Sequence, residues 1–303
     1  MADFPHSLSE FEQWFGDEAA CAEYLAAARW PDGFVCPGCS GNKAWQLDSK
    51  PWIYECARCG RQTSVSAGTI MHQSKLPLTT WFWAAYVMAT QPGGISALQL
   101  QRELELGSYK TAWFLCAKLR RSMVESGRPL LSGLVEIGET EITYRGKSDA
   151  ATRGRGGSNQ GKMLVVGGVE VHELGPGYIR LSTFPDYSTE SLHAFLAASL
   201  APGVTARTSG DFGYCGAPAV NNEPLVIGVR ATPWIHRIFF DLEVWALGAY
   251  HGLRPGYLQS YLDEFAFRFN TRRNRDAAFP SLLGIATAHR PLTYNMLVSR
   301  GSA

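Results

Sequence analysis

The sequence predicts a multidomain α/β protein, and three features of its pattern support this fold class. Four cysteines form two Cys-x2-Cys pairs within residues 36–59, residues 77–126 carry apolar side chains at helical spacing, and strand-forming segments begin at Leu134. A chain of 303 residues is long enough for two or three domains. We predict N-terminal helices with a ribbon, a helical segment, a mixed-sheet domain and a tail at residues 1–75, 76–130, 131–275 and 276–303.

Two short helices are predicted ahead of the cysteines, within residues 7–28. Ser7 and Asp17 are residue types that favour the N-cap position of a helix. Phe11 and Phe15 give these helices an apolar face. We expect this face to pack against the cysteine-containing ribbon.

The cysteine pairs predict one structural zinc ion. A two-residue gap lets both thiolates of a pair turn onto one ion, and four thiolates leave no open position for a substrate. The predicted ligands are Cys36, Cys39, Cys56 and Cys59. We expect Gly38 and Gly60 to supply the relaxed backbone of the two knuckles. Zinc ribbons serve nucleic acids and protein partners alike, so the spacing leaves both open.

Residues 77–126 predict three helices, and the last two have the form of a helix-turn-helix. Ser96 and Ser108 are the expected N-caps, and Gly107 turns the chain between the two helices. In such a motif the last helix faces DNA with its first residues, and bases further along lie near phosphates. The predicted DNA contacts are Tyr109, Lys110, Thr111, Lys118, Arg120 and Arg121. A three-helix linker with a solvated basic face remains the alternative.

From Leu134 the pattern predicts three successive strands, followed by alternating elements. A helix is expected over residues 188–200, a strand over 204–208, a further strand over 225–229 and a clear helix over 257–270. Three adjacent strands, then helix, strand, helix and strand, is the element order of an RNase H-like fold. We therefore predict an RNase H-like mixed sheet.

Several motifs occur together along the chain, and jointly they point to a known family. They are Cys36-Pro37-x-Cys39, Cys56-x2-Cys59-Gly60-Arg61, Ala67-Gly68-Thr69-Ile70, Val135-Glu136-x2-Glu139-Thr140, Gly213-Tyr214, Tyr250-His251-Gly252 and Tyr261-Leu262-Asp263-Glu264-Phe265. With these motifs the sequence resembles a group of bacterial insertion-sequence transposases. That group carries an N-terminal zinc ribbon and a DDE-type, RNase H-like domain.

The resemblance implies DNA cleavage and joining by two Mg²⁺ ions held on acidic side chains. The sequence departs from the family at those positions. Gly138 stands where the first catalytic Asp falls, and Ser209 where the second falls. Downstream of His236, which matches the family's His, Asp241 and Glu243 replace an Asn and a Lys. Neutral side chains cannot hold a hard dication as carboxylates do, so we expect no catalytic residue.

Neighbouring acids leave a relocated metal site open. Glu136 shares a strand face with Gly138, because side chains alternate along a strand. Asp211 follows Ser209 by two residues. A misplacement of about 1 Å already costs about 100-fold in rate, so Mg²⁺ is expected only if such a relocated site operates.

Two further basic segments are candidate phosphate contacts. Arg153 and Arg155 lie in a glycine-rich segment over residues 145–162, for which a solvated loop and contact with the DNA backbone are equally good interpretations. Arg272 and Arg273 follow the last clear helix.

Composition limits the classes of function. A net charge of +1 excludes binding to DNA through bulk charge, although bases outnumber acids by three in residues 76–130. No apolar run is long enough to span a membrane, and the N-terminus lacks a signal-peptide pattern. The other cysteines are dispersed, which fits a reducing compartment. We expect a cytoplasmic, nucleoid-associated protein with no membrane partner.

Together these observations predict a transposase-derived DNA-binding protein that needs structural Zn²⁺ to fold. We expect it to lack strand-transfer chemistry and to act as a regulator or assembly factor at DNA sites. The expected partners are double-stranded DNA and further copies of the chain. Two alternatives remain, an active transposase with a relocated acidic metal site and a protein-interaction module with vestigial DNA binding.

Overall fold

The chain divides into two compact units, Met1–Ser126 with Arg273–Leu297, and Gly127–Arg272 with Val298–Ala303. The computed structural model describes residues 5, 7–124, 129–144, 161–184, 186, 188–208, 220–223, 232–250, 253, 255–274, 278–288, 291–293 and 296–297.

The first unit contains the predicted N-terminal helices and the helical segment. Ser7 and Asp17 accept the expected capping hydrogen bonds, at 3.2 Å from the amide of Glu10 and 2.8 Å from the amide of Ala20. Capping of this kind satisfies amides that have no partner inside the helix. The helices are α1 (Leu8–Phe15), α2 (Glu18–Arg29), α3 (Leu78–Thr90), α4 (Ala97–Glu103) and α5 (Tyr109–Ser122).

Between α2 and α3 the chain forms a small antiparallel sheet. Its strands are β1 (Ala44–Leu47), β2 (Lys50–Cys56) and β3 (Gln62–Ser64), in that order across the sheet. The hairpin of β1 and β2 lies between the two cysteine pairs, and its turn is at Asp48 and Ser49.

The second unit is built on a five-stranded mixed sheet with the order β6-β5-β4-β7-β8. The first three strands are antiparallel neighbours, whereas β7 runs parallel to β4 and β8 parallel to β7. Its elements are β4 (Leu134–Tyr144), β5 (Gly161–His172), β6 (Gly175–Phe184), α6 (Thr189–Ser199), β7 (Val204–Arg207), β8 (Val220–Glu223), α7 (Pro233–Tyr250), a 3-10 turn (Pro255–Tyr257) and α8 (Leu258–Thr271). The predicted multidomain α/β class is confirmed. The strand predicted over residues 225–229 lies outside the described residues.

Helices cover both faces of this sheet. Helix α6 packs on the face that buries Val135 and Ile137, and α7 and α8 pack on the face that buries Ile142. Because side chains alternate along a strand, Glu136 and Gly138 lie on the face covered by α7.

The C-terminal helix, α9 (Ala278–Ala288), belongs to the first unit although the second unit precedes it in the chain. Phe279 is fully buried, and its ring centre lies 5.7 Å from that of Phe11, 5.6 Å from Phe15 and 6.0 Å from Phe82. The face of α1 that we expected on the ribbon therefore packs in an aromatic core with α3 and α9. The predicted tail supplies part of that core, because α9 is almost wholly apolar.

Within the described part of the chain, no helix combines the length and hydrophobicity that crossing a membrane requires.

Candidate metal centre and nucleic-acid interface

The metal centre consists of four cysteine sulfurs that all lie within 4.8 Å of one another. Two Sγ–Sγ distances of 3.6 Å cross between the knuckles, one from Cys36 to Cys59 and one from Cys39 to Cys56. A tetrahedral zinc ion with Zn–S bonds of about 2.3 Å has sulfur–sulfur edges of about 3.8 Å. The four predicted ligands therefore fit one zinc ion, which would tie the two knuckles together.

Backbone amides support these thiolates in the same way in both knuckles. The amide of Gly38 donates to Cys36 Sγ and the amide of Arg58 donates to Cys56 Sγ, each at 3.4 Å. The Gly38 amide lowers the pKa of the Cys36 thiol, because a hydrogen bond to sulfur favours the thiolate. Such a thiolate is the form that binds metal.

The two knuckles obtain their turns from different residues. Gly60 has the left-handed backbone we predicted, with φ of 69°. In the first knuckle the left-handed residue is Ser40, with φ of 57°, rather than Gly38. Gly38 instead provides space, because a Cβ atom there would lie 2.9 Å from Arg61 Cδ.

Two arginines that our sequence reasoning did not select lie over the first knuckle. Arg58 Nη1 donates to the carbonyl of Cys39 at 3.4 Å, and Arg61 Nη1 lies 3.1 Å from the position of a Cβ at Gly38. Both side chains are exposed. In the sequence, Arg58 directly precedes Cys59 and Arg61 directly follows Gly60, and this position next to a metal ligand could have identified them as part of the site.

The residues at the start of α5 that we predicted to contact DNA are on the surface. Ser108 caps the helix by accepting from the Thr111 amide at 3.1 Å. Tyr109 is 53% exposed, Lys110 is exposed and Thr111 is half-buried, and Arg121 is exposed at the other end of the helix. These four side chains remain predicted DNA contacts.

Lys118 and Arg120 differ from the prediction, because both side chains are buried, at 4% and 3% exposure. Lys118 Nζ donates to the carbonyl of Ile70 at 2.7 Å and lies 4.8 Å from the ring centre of Phe114. Burial lowers the pKa of the Lys118 ammonium. A buried ammonium that holds a loop carbonyl is not available to a phosphate.

Gly138 lies beneath α7. A Cβ atom at this position would lie 3.1 Å from Ile235 Cγ2 and 3.3 Å from Phe239 Cε2. Its neighbour across the ladder is also a glycine, Gly167, whose Cβ position lies 3.0 Å from Phe239 Cε1. The pair of glycines lets α7 approach the sheet closely, and the helix fills the space that an aspartate at position 138 would need.

Glu136, the nearest alternative acid, is used by the fold. It is 2% exposed, and its Oε2 accepts hydrogen bonds from the amides of Trp234 at 2.8 Å and Ile235 at 3.0 Å. Burial raises the pKa of Glu136, while these two amides lower it. The carboxylate thus caps the N-terminus of α7, where a negative charge is favourable.

The acids on α7 itself are half-buried or exposed. Asp241 forms an ion pair with Arg237 one turn earlier, at 3.0 Å, and Glu243 is exposed. Ser209 and Asp211 lie outside the described residues. Among the described residues, the face of the sheet around Gly138 therefore offers no free carboxylate, and these residues do not fit a pair of Mg²⁺ ions.

The other predicted phosphate contacts fall into two groups. Arg272 is half-buried, donates to the carbonyls of Pro176 and Gly177 and packs over Phe269 at 3.7 Å, so its guanidinium is engaged in the fold. Arg273 is exposed. Arg153 and Arg155 lie outside the described residues.

Comparisons with known proteins identify both domains. Residues 16–62 match the transposase zinc-ribbon domain, and residues 130–270 match the ISXO2-like transposase domain. An uncharacterized protein in transposable element ISH50 of Halobacterium salinarum is 31% identical over 153 residues, which are 49% of this chain and 51% of that protein. The chain thus spans about half the length of this curated relative. No solved structure matches. The two matched domains make up more than half of the chain, which belongs to the insertion-sequence transposases with an N-terminal zinc ribbon.

Proposed function

We propose that this member of the transposase family binds double-stranded DNA without cutting it, and acts on the nucleoid as a regulator or assembly factor. The observation that carries the proposal is the packing of α7 over Gly138. Two-metal cleavage needs several carboxylates on one face of the sheet. Among the described residues, the corresponding position on that face is Gly138, and Ile235 Cγ2 lies 3.1 Å from its Cβ position.

The roles of the neighbouring acids support the same proposal. Glu136 accepts two amide hydrogen bonds from α7, and Asp241 is paired with Arg237. Moving the Glu136 carboxylate toward a metal would leave the amides of Trp234 and Ile235 without their partner, at a cost of about 1–3 kcal/mol for each buried group. A relocated metal site would therefore have to disrupt the packing of α7.

DNA binding is assigned to the first unit because its surface carries the appropriate groups. The zinc-ribbon match, the capped helix α5 and the exposed Lys110 and Arg121 lie together in that unit. Phosphate contacts by such side chains supply most of non-specific DNA affinity and make it depend on salt.

The experiment combines a binding assay and a cleavage assay on one preparation. The unmodified chain is titrated into a linear duplex of mixed sequence at several NaCl concentrations, and the same complex is then incubated with Mg²⁺ or Mn²⁺. We expect salt-dependent binding and no cut or joined strands. Metal-dependent cleavage that disappears in Glu136→Gln would establish the relocated active site instead.

A second candidate role is protein interaction, and the exposed surface of α7 favours it. Phe240, Val244 and Leu247 form one apolar stripe on this helix and are 59%, 55% and 62% exposed. Glu243 flanks the stripe, which makes this surface unsuited to phosphates. Sedimentation of the parent and of Leu247→Lys tests self-association through the stripe, and a parent that stays monomeric contradicts it.

A further inference from the structure

Two basic side chains of one knuckle of the zinc ribbon lie over the other knuckle. Arg58 and Arg61 belong to the second knuckle, but their guanidinium groups lie over consecutive residues of the first. Arg58 Nη1 donates to the carbonyl of Cys39 at 3.4 Å, and Arg61 Nη1 lies 3.1 Å from the Cβ position of Gly38. Consecutive Cα atoms are about 3.8 Å apart, so the two cations are neighbours.

Both arginines remain available for a ligand. Their side chains are exposed, and in the described part of the chain no carboxylate lies within ion-pair distance of either one. The nearest acid along β2, Glu55, accepts a hydrogen bond from Gln62 at 2.9 Å. Lys43 is a third exposed base beside them, since its carbonyl accepts from the amide of Ala57 at 2.9 Å.

The form of these groups indicates the class of ligand. Guanidinium groups bind phosphate oxygens through paired N–H donors in a fixed plane, and they lose less entropy in doing so than lysines do. Two guanidinium groups over consecutive residues of one knuckle suit successive negative charges, as the backbone of a nucleic acid presents them.

We propose that Arg58 and Arg61 form a zinc-assembled contact to the DNA backbone, separate from the helix-turn-helix surface. The inference rests on the proposed function, because it assigns part of the DNA contact to the ribbon. Zinc would then have two effects: it folds the ribbon, and it holds the two cations against the first knuckle. The competing role is local, since a zinc ion with four thiolates has a net charge of −2 that nearby arginines would offset.

The test removes the charge of the arginines and keeps a polar side chain at each position. Arg58→Gln with Arg61→Gln is compared with Lys50→Gln with Lys75→Gln, which removes two exposed charges at sites outside the knuckles. Binding to the mixed-sequence duplex is measured against NaCl concentration, and zinc content is measured on the same samples. Loss of two phosphate contacts should make the slope of log K against log salt shallower by about 1.8.

We expect the shallower salt slope only when Arg58 and Arg61 are replaced by glutamine, and not when Lys50 and Lys75 are. Both double variants should retain one zinc per chain. The charge-preserving variant Arg58→Lys with Arg61→Lys should keep the parent slope. An unchanged slope in the Gln variant, or a loss of zinc parallel to the loss of binding, would overturn the inference. A parent chain that does not bind duplex at all would instead refute the proposed function.

Discussion

The Cβ position of Gly138 lies 3.1 Å from Cγ2 of Ile235 on α7, so a helix covers the strand position at which we expected the catalytic aspartate of the family to fall. The opposing Gly167 is covered by the same helix. The absence of a side chain at position 138 and the close packing of α7 therefore depend on each other. Restoring the side chain must disturb the helix.

Gly138→Ala should lower the free energy of unfolding by about 1–3 kcal/mol, because it overpacks the contact with Ile235 and Phe239. Gly138→Asp should cost more, since it also buries a carboxylate. Gly248→Ala is the matched control, because a Cβ on that exposed residue of α7 meets nothing within 4 Å. Urea unfolding measures all three. If Gly138→Ala is as stable as the parent, or if Gly138→Asp cleaves DNA, then α7 does not exclude a side chain at position 138.

Glu136→Gln should remove a pH dependence of stability. Burial raises the pKa of Glu136 above 4.5, so the folded chain holds its proton at a pH where the unfolded chain has lost it. Stability contributed by this group is then lost as pH rises from about 4.5 through the raised pKa. Glutamine does not titrate and retains an oxygen for the amides of Trp234 and Ile235. Urea unfolding of both proteins between about pH 4 and 7 should show that the free energy of unfolding of the parent falls relative to that of the variant. A constant difference over this range would contradict the prediction.

Lys110→Ala with Arg121→Ala should weaken DNA binding and make the salt slope shallower by about 1.8, because two exposed cations are removed. Lys118→Met provides the contrast. It should leave the slope unchanged and reduce stability by about 1–3 kcal/mol, since the carbonyl of Ile70 loses its buried donor. Fluorescence anisotropy at several salt concentrations separates the two effects. A normal slope in the double variant would exclude α5 from the interface.

Cys56→Ser should release zinc and unfold the ribbon over residues of about 30 to 65, because a three-thiolate site no longer closes the two knuckles. The second unit should keep its cooperative unfolding transition. Cys21→Ala, which removes a buried thiol outside the cluster, should retain one zinc per chain. Elemental analysis decides the point, and full zinc in Cys56→Ser would refute the ligand assignment.

Phe279→Ala should destabilise the first unit by about 3–5 kcal/mol, since it empties the centre of the aromatic core formed with Phe11, Phe15 and Phe82. Leu98→Ala, at a side chain that is 46% exposed, should have little effect. The signal to follow is thermal unfolding of the N-terminal helices by circular dichroism. A near-neutral Phe279→Ala would mean that α9 is not part of that core.

Local patterns in the sequence were sufficient for much of the fold and for the metal centre. The zinc ligands follow from two-residue gaps, and the helix starts follow from Ser7, Asp17, Ser96 and Ser108. These features depend on atoms a few residues apart, whose geometry the backbone sets directly. The three successive strands that begin the second unit, and the helix and strand that follow them, were also predicted, because their apolar and β-branched residues mark each element locally.

Tertiary structure decided which charges are available and which surfaces are covered. In sequence Lys118 and Lys110 are equivalent bases on one helix, yet Lys118 is buried against a loop some 48 positions earlier in the chain. Likewise, Gly138 reads as a vacant ligand position until α7, almost a hundred residues later, is seen to occupy the space above it. Burial depends on contacts between segments distant along the chain, and the periodicity of one segment does not specify its partner. That is why the sequence alone determined the cysteine cluster, the capped helices and the fold class, whereas packing between distant segments decided which cations are exposed and which helix covers Gly138.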